Sequence, residues 1–145
     1  MTNIRPAILD DLDALRHLWQ ERIVILTQAD ARFRSHTSPL EDWLQNSDIC
    51  VLVAENHDHI IGYIVGSVAG IVYDIALDAH TYHAGLGRAL WQSLRAWFAQ
   101  HHLDPITIRV PRHFPVEQAF WRALGATRTE NTEWQIPPEY MWMTL

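Results

Sequence analysis

Apolar and polar positions along this chain follow two periods, and the switches between them mark its elements. Ile4 to Ala7 is a short apolar opening that reads as a strand. Asp10 or Asp11 then stands where a helix cap belongs, and Leu12, Leu15, Trp19, Ile23 and Leu26 follow at the spacing of one helical face. Ala29 to Thr37 shows no clear period. Ser38 and Glu41 stand at capping-box spacing around Pro39, which predicts a short second helix to about Gln45. Ile49 to Glu55 and Ile60 to Val68 are apolar runs joined by the polar turn Asn56, His57, Asp58 and His59, and together they predict a hairpin. After Gly70, Ile71 to Leu77 is apolar almost throughout, as expected of a central strand covered on both faces, and Asp74 is its odd residue.

Further along, Leu86, Ala89, Leu90, Leu94 and Trp97 share one face of a helix expected from Gly85 to about His102, ending before Asp104 and Pro105. Ile106 to Val110 is the next strand, Pro115 to Leu124 a helix stopped by Gly125, and Tyr140 to Leu145 a closing strand. The order β, α, α, β, β, β, α, β, α, β, β describes an α+β chain with one strand, helix, strand unit near its middle. No repeat, linker or low-complexity tract divides it, so residues 1–145 are read as a single domain.

Composition removes several alternatives. Apolar residues make up 48% of the chain and charged residues 19%, a globular balance. The formal charge is −6, and all 11 basic side chains are Arg, scattered from Arg5 to Arg128, so the basic footprint of a nucleic-acid binder is missing. Without Lys there is neither a Schiff-base lysine nor a P-loop, and the single Cys50 excludes disulfide frameworks and multi-thiolate zinc sites. Cys50 opens an apolar strand and reads as a small core residue, and His101 and His102 point to different faces of their helix, so no metal is expected. Met1 to Asp13 lacks a signal-peptide core, and the uncharged stretch from Ile60 to Tyr73 falls short of the roughly 20 residues of a membrane span. A cytoplasmic protein without membrane contact is therefore expected.

The chemistry is expected between the Ile71 to Leu77 strand and the helix that follows it, at Tyr82-His83-Ala84-Gly85-Leu86-Gly87-Arg88. Two Gly let the backbone come close to a ligand, and the first turn of the helix offers unpaired N–H groups at the positive end of its dipole. That geometry suits a pyrophosphate, although a tight strand-to-helix turn has the same spacing.

With these residues in place the chain resembles the GNAT acetyltransferase superfamily. Gly85 and Gly87 match the Gly-x-Gly of its acetyl-CoA loop, Leu77 falls where Val usually closes the central strand, and Ala119-Phe120-Trp121-Arg122-Ala123-Leu124-Gly125-Ala126 is similar to its fourth-helix signature. Ile4-Arg5-Pro6-Ala7 with Asp10, Asp11 and Leu12 is similar to its opening. The resemblance implies a central mixed, mostly antiparallel sheet of about seven strands flanked by about four helices and splayed between strands four and five. It implies acetyl-CoA as the acyl donor, held by Ile75, Ala76, Leu77, Tyr82, His83, Ala84, Gly85, Leu86, Gly87, Arg88, Phe114 and Trp121. It also implies transfer to an amine by direct attack, with the Leu77 N–H facing the developing oxyanion.

Three departures fall on functional positions: Tyr82 replaces an Arg or Gln, Phe114 an Asn at the pantetheine arm, and Trp121 the Tyr proposed to protonate the thiolate. An indole N–H is no acid at physiological pH. Asp74 is the candidate base, with an acceptor-binding or structural role as alternatives. Ala29 to Thr37 and Arg128 to Pro138 are the segments the family fold places over the acceptor, which stays unidentified. Trp134, Tyr140 and Trp142 read as core or dimer contacts, which leaves a homodimer open. The departures also keep a second reading in play, a catalytically silent acyl-CoA-binding domain that serves as a sensor or scaffold.

Overall fold

The computed structural model describes residues 2–80, 85–130 and 135–145. Its strands are β1 (Thr2–Pro6), β2 (Ile49–Asn56), β3 (His59–Ser67), β4 (Ile71–Leu77), β5 (Thr107–Pro111), β6 (Thr127–Thr129) and β7 (Tyr140–Thr144). The helices are α1 (Leu12–Ala29), α2 (Leu40–Gln45), α3 (Leu86–Gln100) and α4 (Pro115–Ala123). The strands form one sheet in the order β1-β2-β3-β4-β5-β7-β6, antiparallel except for the parallel pair β4 and β5. That pair is in register only at Ile71 with Thr107 and Val72 with Ile108. Beyond Val72 the strands part, and the splay expected between the fourth and fifth strands opens as a wedge.

Each face of the sheet carries its own core. On one, Leu90, Leu94 and Phe98 of α3 pack with Leu52, Ile64, Ile108 and Met143 of the sheet. On the other, Leu15, Leu18 and Leu26 of α1 pack with Val53, Tyr63 and Val65. Alternation along β2 separates them, Val51 and Val53 facing one way and Leu52 and Ala54 the other. The approach of α3 to the sheet depends on Gly66, where a Cβ would stand 2.8 Å from Phe98 and 3.0 Å from Leu94. Among the described residues no helix is long and apolar enough to cross a membrane.

Several local readings change. The carboxylate of Asp11 points backward, accepting from the Ile8 N–H at 2.8 Å and from Arg5, so it does not cap α1 forward. The capping box of α2 does not close. Ser38 Oγ only accepts from the Leu40 N–H at 3.4 Å, and Glu41 reaches Arg16 at 2.8 Å, because an ion pair across to α1 draws it away. The buried stripe of α3 is rotated toward Trp91 and Phe98, while Ala89 and Trp97 are half-buried. The helix ends at Gln100, so His101 and His102 belong to its terminal turn. The hairpin turn forms as expected, with His57 and Asp58 both left-handed (φ 51° and 65°), the backbone a two-residue hairpin loop demands.

One irregularity in β4 positions the site. Val65 pairs with Asp74 but Gly66 pairs with Val72, so Tyr73 is an extra, bulged residue. The bulge shifts the alternation of the strand. Asp74 and Ala76 then face α1, while Ile75 and Leu77 face α3 and α4.

Candidate functional site

The wedge between β4 and β5 is floored by backbone. Antiparallel pairs bond to each other at alternate residues, and the Asp78 N–H donates to the Ile61 carbonyl at 2.8 Å. Positions 74, 76 and 78 are therefore bound to β3, and the N–H of Leu77 points the other way, into the wedge. The bulged Tyr73 turns its carbonyl toward β5, where it accepts from Arg109 Nε at 3.2 Å.

A first cavity, about 240 Å³, lies along this part of β4. Ile75, Ala76 and Leu77 line it from the strand, Gly87 from α3, Phe114 from the residue that precedes α4 and Phe120 from within that helix. Its wall is almost wholly apolar, as suits a long flexible arm. Gly87 keeps it open, because a Cβ there would stand 3.0 Å from the Phe120 ring. Two residues before Gly87, Gly85 takes the left-handed conformation (φ 78°) as the N-cap of α3. The first turn of this 15-residue helix holds no acidic residue, so among the described residues no carboxylate of that turn opposes an anion at its N–H groups and dipole.

Where the cavity reaches α1, a buried cluster closes it. Arg22 donates from Nε to Asp74 Oδ1 at 2.6 Å, and from Nη1 and Nη2 to the two oxygens of Glu117 at 2.8 and 3.1 Å. Asp74 also accepts from the Tyr63 hydroxyl at 2.7 Å and the Ile75 N–H at 3.1 Å. Burial pushes the Glu117 carboxyl above its usual range, only partly offset by Arg22. Burial also lifts Tyr63 well above its ordinary value, with Asp74 adding to it, so the hydroxyl remains a donor. Burial pulls Arg22 down, but Glu117 and Asp74 outweigh it and hold the guanidinium charged.

The sequence model of the acetyltransferase (GNAT) family matches residues 12–126, which span this wedge, cavity and cluster. The chain belongs to the acetyltransferase (GNAT) family. Among curated proteins no sequence matches it. Solved structures do resemble it. PaiA N-acetyltransferase from Thermoplasma acidophilum, in complex with coenzyme A, has a TM-score of 0.75 at 16% identity, covering 99% of this chain and 98% of that one. A ribosomal-protein-alanine N-acetyltransferase from Brucella melitensis has 0.75 at 18% identity, with 99% and 98% covered. AAC(6')-Iy, in complex with a bisubstrate analogue, has 0.69 at 16% identity, with 94% and 98% covered. At these identities the likeness establishes the GNAT fold.

In this acetyltransferase the residues singled out from sequence separate into groups. Ile75, Ala76, Leu77, Gly87 and Phe114 line the first cavity together. Gly85 and Arg88 are exposed and flank Gly87 in the chain without lining the cavity, whereas the Leu86 side chain is 6% exposed and belongs to the core, leaving only its backbone to the site. Tyr82, His83 and Ala84, like Trp134, lie outside the described residues. Trp121 is fully buried, edge-on to Trp91 at 5.4 Å, and its neighbour Phe120 takes the place on the cavity. Consecutive helical residues diverge by about 100°, so only one of the pair can face the cleft. Tyr140 and Trp142 are buried in the sheet. Cys50 is half-buried, and burial pushes its thiol up to about 11, which suits a packing residue better than a nucleophile.

Sequence reasoning missed Arg22 and Glu117. Arg22 lies three residues after Trp19 and four before Leu26, on the buried stripe of α1 where a charge is out of place, and that was the available signal. Arg22 and Leu26 also border a second cavity, about 460 Å³, on the α1 and α2 side of β4. Asp74 and Tyr73 reach it from the strand, Trp43 from α2, and Arg109 and Tyr140 from β5 and β7. One face of the GNAT wedge is thus apolar and the other charged and aromatic, with the Arg22 cluster between them.

Proposed function

We propose that this chain is an N-acetyltransferase that moves the acetyl group of acetyl-CoA to a primary amine of a small molecule or peptide by direct attack. The observation that carries this reading is the wedge, with the Leu77 N–H directed into it and an apolar cavity leading from it to the N-terminus of α3. The pyrophosphate of acetyl-CoA rests on the turn from Gly85 to Arg88, and the pantetheine arm runs through the first cavity past Phe114 and Phe120. The thioester carbonyl then lies at Leu77, whose N–H stabilises the oxyanion as the amine nitrogen bonds to the carbonyl carbon. Such a donor is worth about 3 kcal/mol.

The amine enters from the second cavity, beside Asp74. An amine of pKa about 10 arrives protonated at neutral pH and must lose a proton before it attacks. Asp74 already accepts from Arg22, Tyr63 and the Ile75 N–H, so its part is to orient the amine while the proton leaves through cavity water. As the C–S bond breaks, the acylated nitrogen gives up its surplus proton through cavity water to the departing thiolate of pKa about 8.5, so the step needs no dedicated acid and Trp121 can stand in the core. A single domain in the cytoplasm is sufficient for this chemistry, and no metal takes part in it.

The test is to incubate the protein with acetyl-CoA and amines and to measure free thiol and acetylated product. Product formation supports the reading. Tight CoA binding with no turnover on any amine would instead favour a silent acyl-CoA-binding domain. The complete mutual pairing of Arg22, Asp74 and Glu117 is the observation that would suit such a domain.

A further inference from the structure

The second cavity contains a cation whose terminal nitrogens are unused. Arg5 and Arg22 each hold two carboxylates. Arg109 holds none among the described residues. Its Nε is fixed on the Tyr73 carbonyl at 3.2 Å, and its guanidinium lies over the Tyr140 ring at 4.2 Å and near the Tyr73 ring at 5.5 Å. Neither Nη atom has a hydrogen-bond partner among the described residues, and the half-buried side chain lines the cavity. Stacking on one ring and a bond from Nε lock the plane of the fork before anything binds, so little entropy is lost when two further N–H groups engage a ligand.

We propose that Arg109 is the recognition site for a carboxylate on the acetyl acceptor, and that the acceptor is therefore an amino acid or similar amino-carboxylate of that size. The inference rests on the acetyl transfer proposed above and names its acceptor class. A planar fork with two free donors matches the two oxygens of a carboxylate. Arg109 is bonded to the carbonyl of Tyr73, the residue next to Asp74, so the carboxylate and the amine sit within a few bonds of each other. Charge agrees with this placement. Arg22 is already held by Asp74 and Glu117, which leaves Arg109 as the unpaired charge on this cavity among the described residues, and a zwitterion adds one charge of each sign, whereas a polyamine would add only positive charge beside Arg109. A cavity of about 460 Å³ is of the size that holds one small molecule, and Trp43, stacked on Tyr73 at 6.1 Å, gives it a flat apolar wall.

The experiment compares phenylalanine and methionine with their carboxamides, and with spermidine and kanamycin, as acceptors at saturating acetyl-CoA. The amide amines are less basic, so more of each is free to attack at neutral pH, and a preference for the acids cannot arise from the amine. The acids are expected to exceed the amides in kcat/KM by about tenfold to a hundredfold, the usual range for a lost charged hydrogen-bond pair. Arg109→Gln should abolish that ratio, Arg109→Lys should keep part of it, and KM for acetyl-CoA should not move in either. Equal use of acid and amide, or a preference for spermidine or kanamycin, would overturn the proposal, as would an Arg109→Gln variant that slows acid and amide alike.

Calorimetric titration of the same compounds into CoA-saturated protein separates this proposal from the transfer itself. If no amine is acetylated but the acids bind and the amides do not, and Arg109→Gln removes that binding, the carboxylate site stands and the transferase reading fails. If acids and amides bind equally, or neither binds, the carboxylate site falls.

Discussion

The two cavities flanking β4 are built from different materials. The first takes its shape from backbone and apolar surface, namely the Leu77 N–H, the turn at Gly85, and the rings of Phe114 and Phe120. The second takes its character from charged and aromatic side chains gathered from α1, α2, β4, β5 and β7. A site for a ligand that never changes can be made of main chain, which every sequence with the right turn supplies. A site that chooses among ligands needs side chains, and these can be exchanged one at a time.

Removing the cluster between the two cavities is expected to have the largest effect. Arg22→Ala leaves Asp74 and Glu117 buried without their cation, which should cost about 3–5 kcal/mol of stability, read as a fall in denaturant midpoint. A loss below 1 kcal/mol would mean that water already screens the cluster. Asp74→Asn tests the acceptor side alone. Turnover should fall by about a hundredfold, the lower end for a group that handles the reacting amine, while acetyl-CoA affinity stays within about twofold. Unchanged turnover would remove Asp74 from the reaction.

Gly87→Val tests the donor side alone. Its Cβ would stand 3.0 Å from Phe120, and the displaced ring should raise KM for acetyl-CoA about tenfold, the penalty of modest overpacking, with acceptor KM unchanged. A shift in acceptor KM instead would show that the cavities are not separate. The smallest effect on the reaction is expected at Trp121→Phe. Among the described residues the indole Nε1 has no hydrogen-bond partner, so the substitution loses packing alone, about 1–3 kcal/mol of stability for the cavity a smaller ring leaves, with turnover intact. A large drop in turnover would return Trp121 to the mechanism.

The same contrast explains what was legible in the sequence. The Gly85 to Arg88 turn, the hairpin at His57 and Asp58, and the continuous apolar run of β4 are local signals, and the structure forms all three elements. The fold followed from their order. Arg22 was legible only as a charge out of place on the buried stripe of α1, because its partners lie 52 and 95 positions away and nothing nearby announces them. The exchange of Phe120 for Trp121 was missed for a geometric reason, since a motif fixes residue order and leaves the rotation of a short helix to its packing. Asp74 was conspicuous as a charge in an apolar strand, yet its surroundings depend on the bulge at Tyr73, which no residue type in that strand announces.

That extra residue turns β4 into a ruler with two scales. After Tyr73 the strand alternates between its sides at a rise of about 3.3 Å per residue, so the position that orients the acceptor and the position that receives the thioester carbonyl stand a fixed distance apart on one rigid rod. Substitutions at Tyr73 and Asp74 can then tune which amine is taken, while Ile75, Ala76 and Leu77 serve the donor. Deleting Tyr73 would leave those sides as they are, because Val72 and Asp74 already pair with the consecutive residues Gly66 and Val65, and it would take away only the extra carbonyl that holds Arg109 in place.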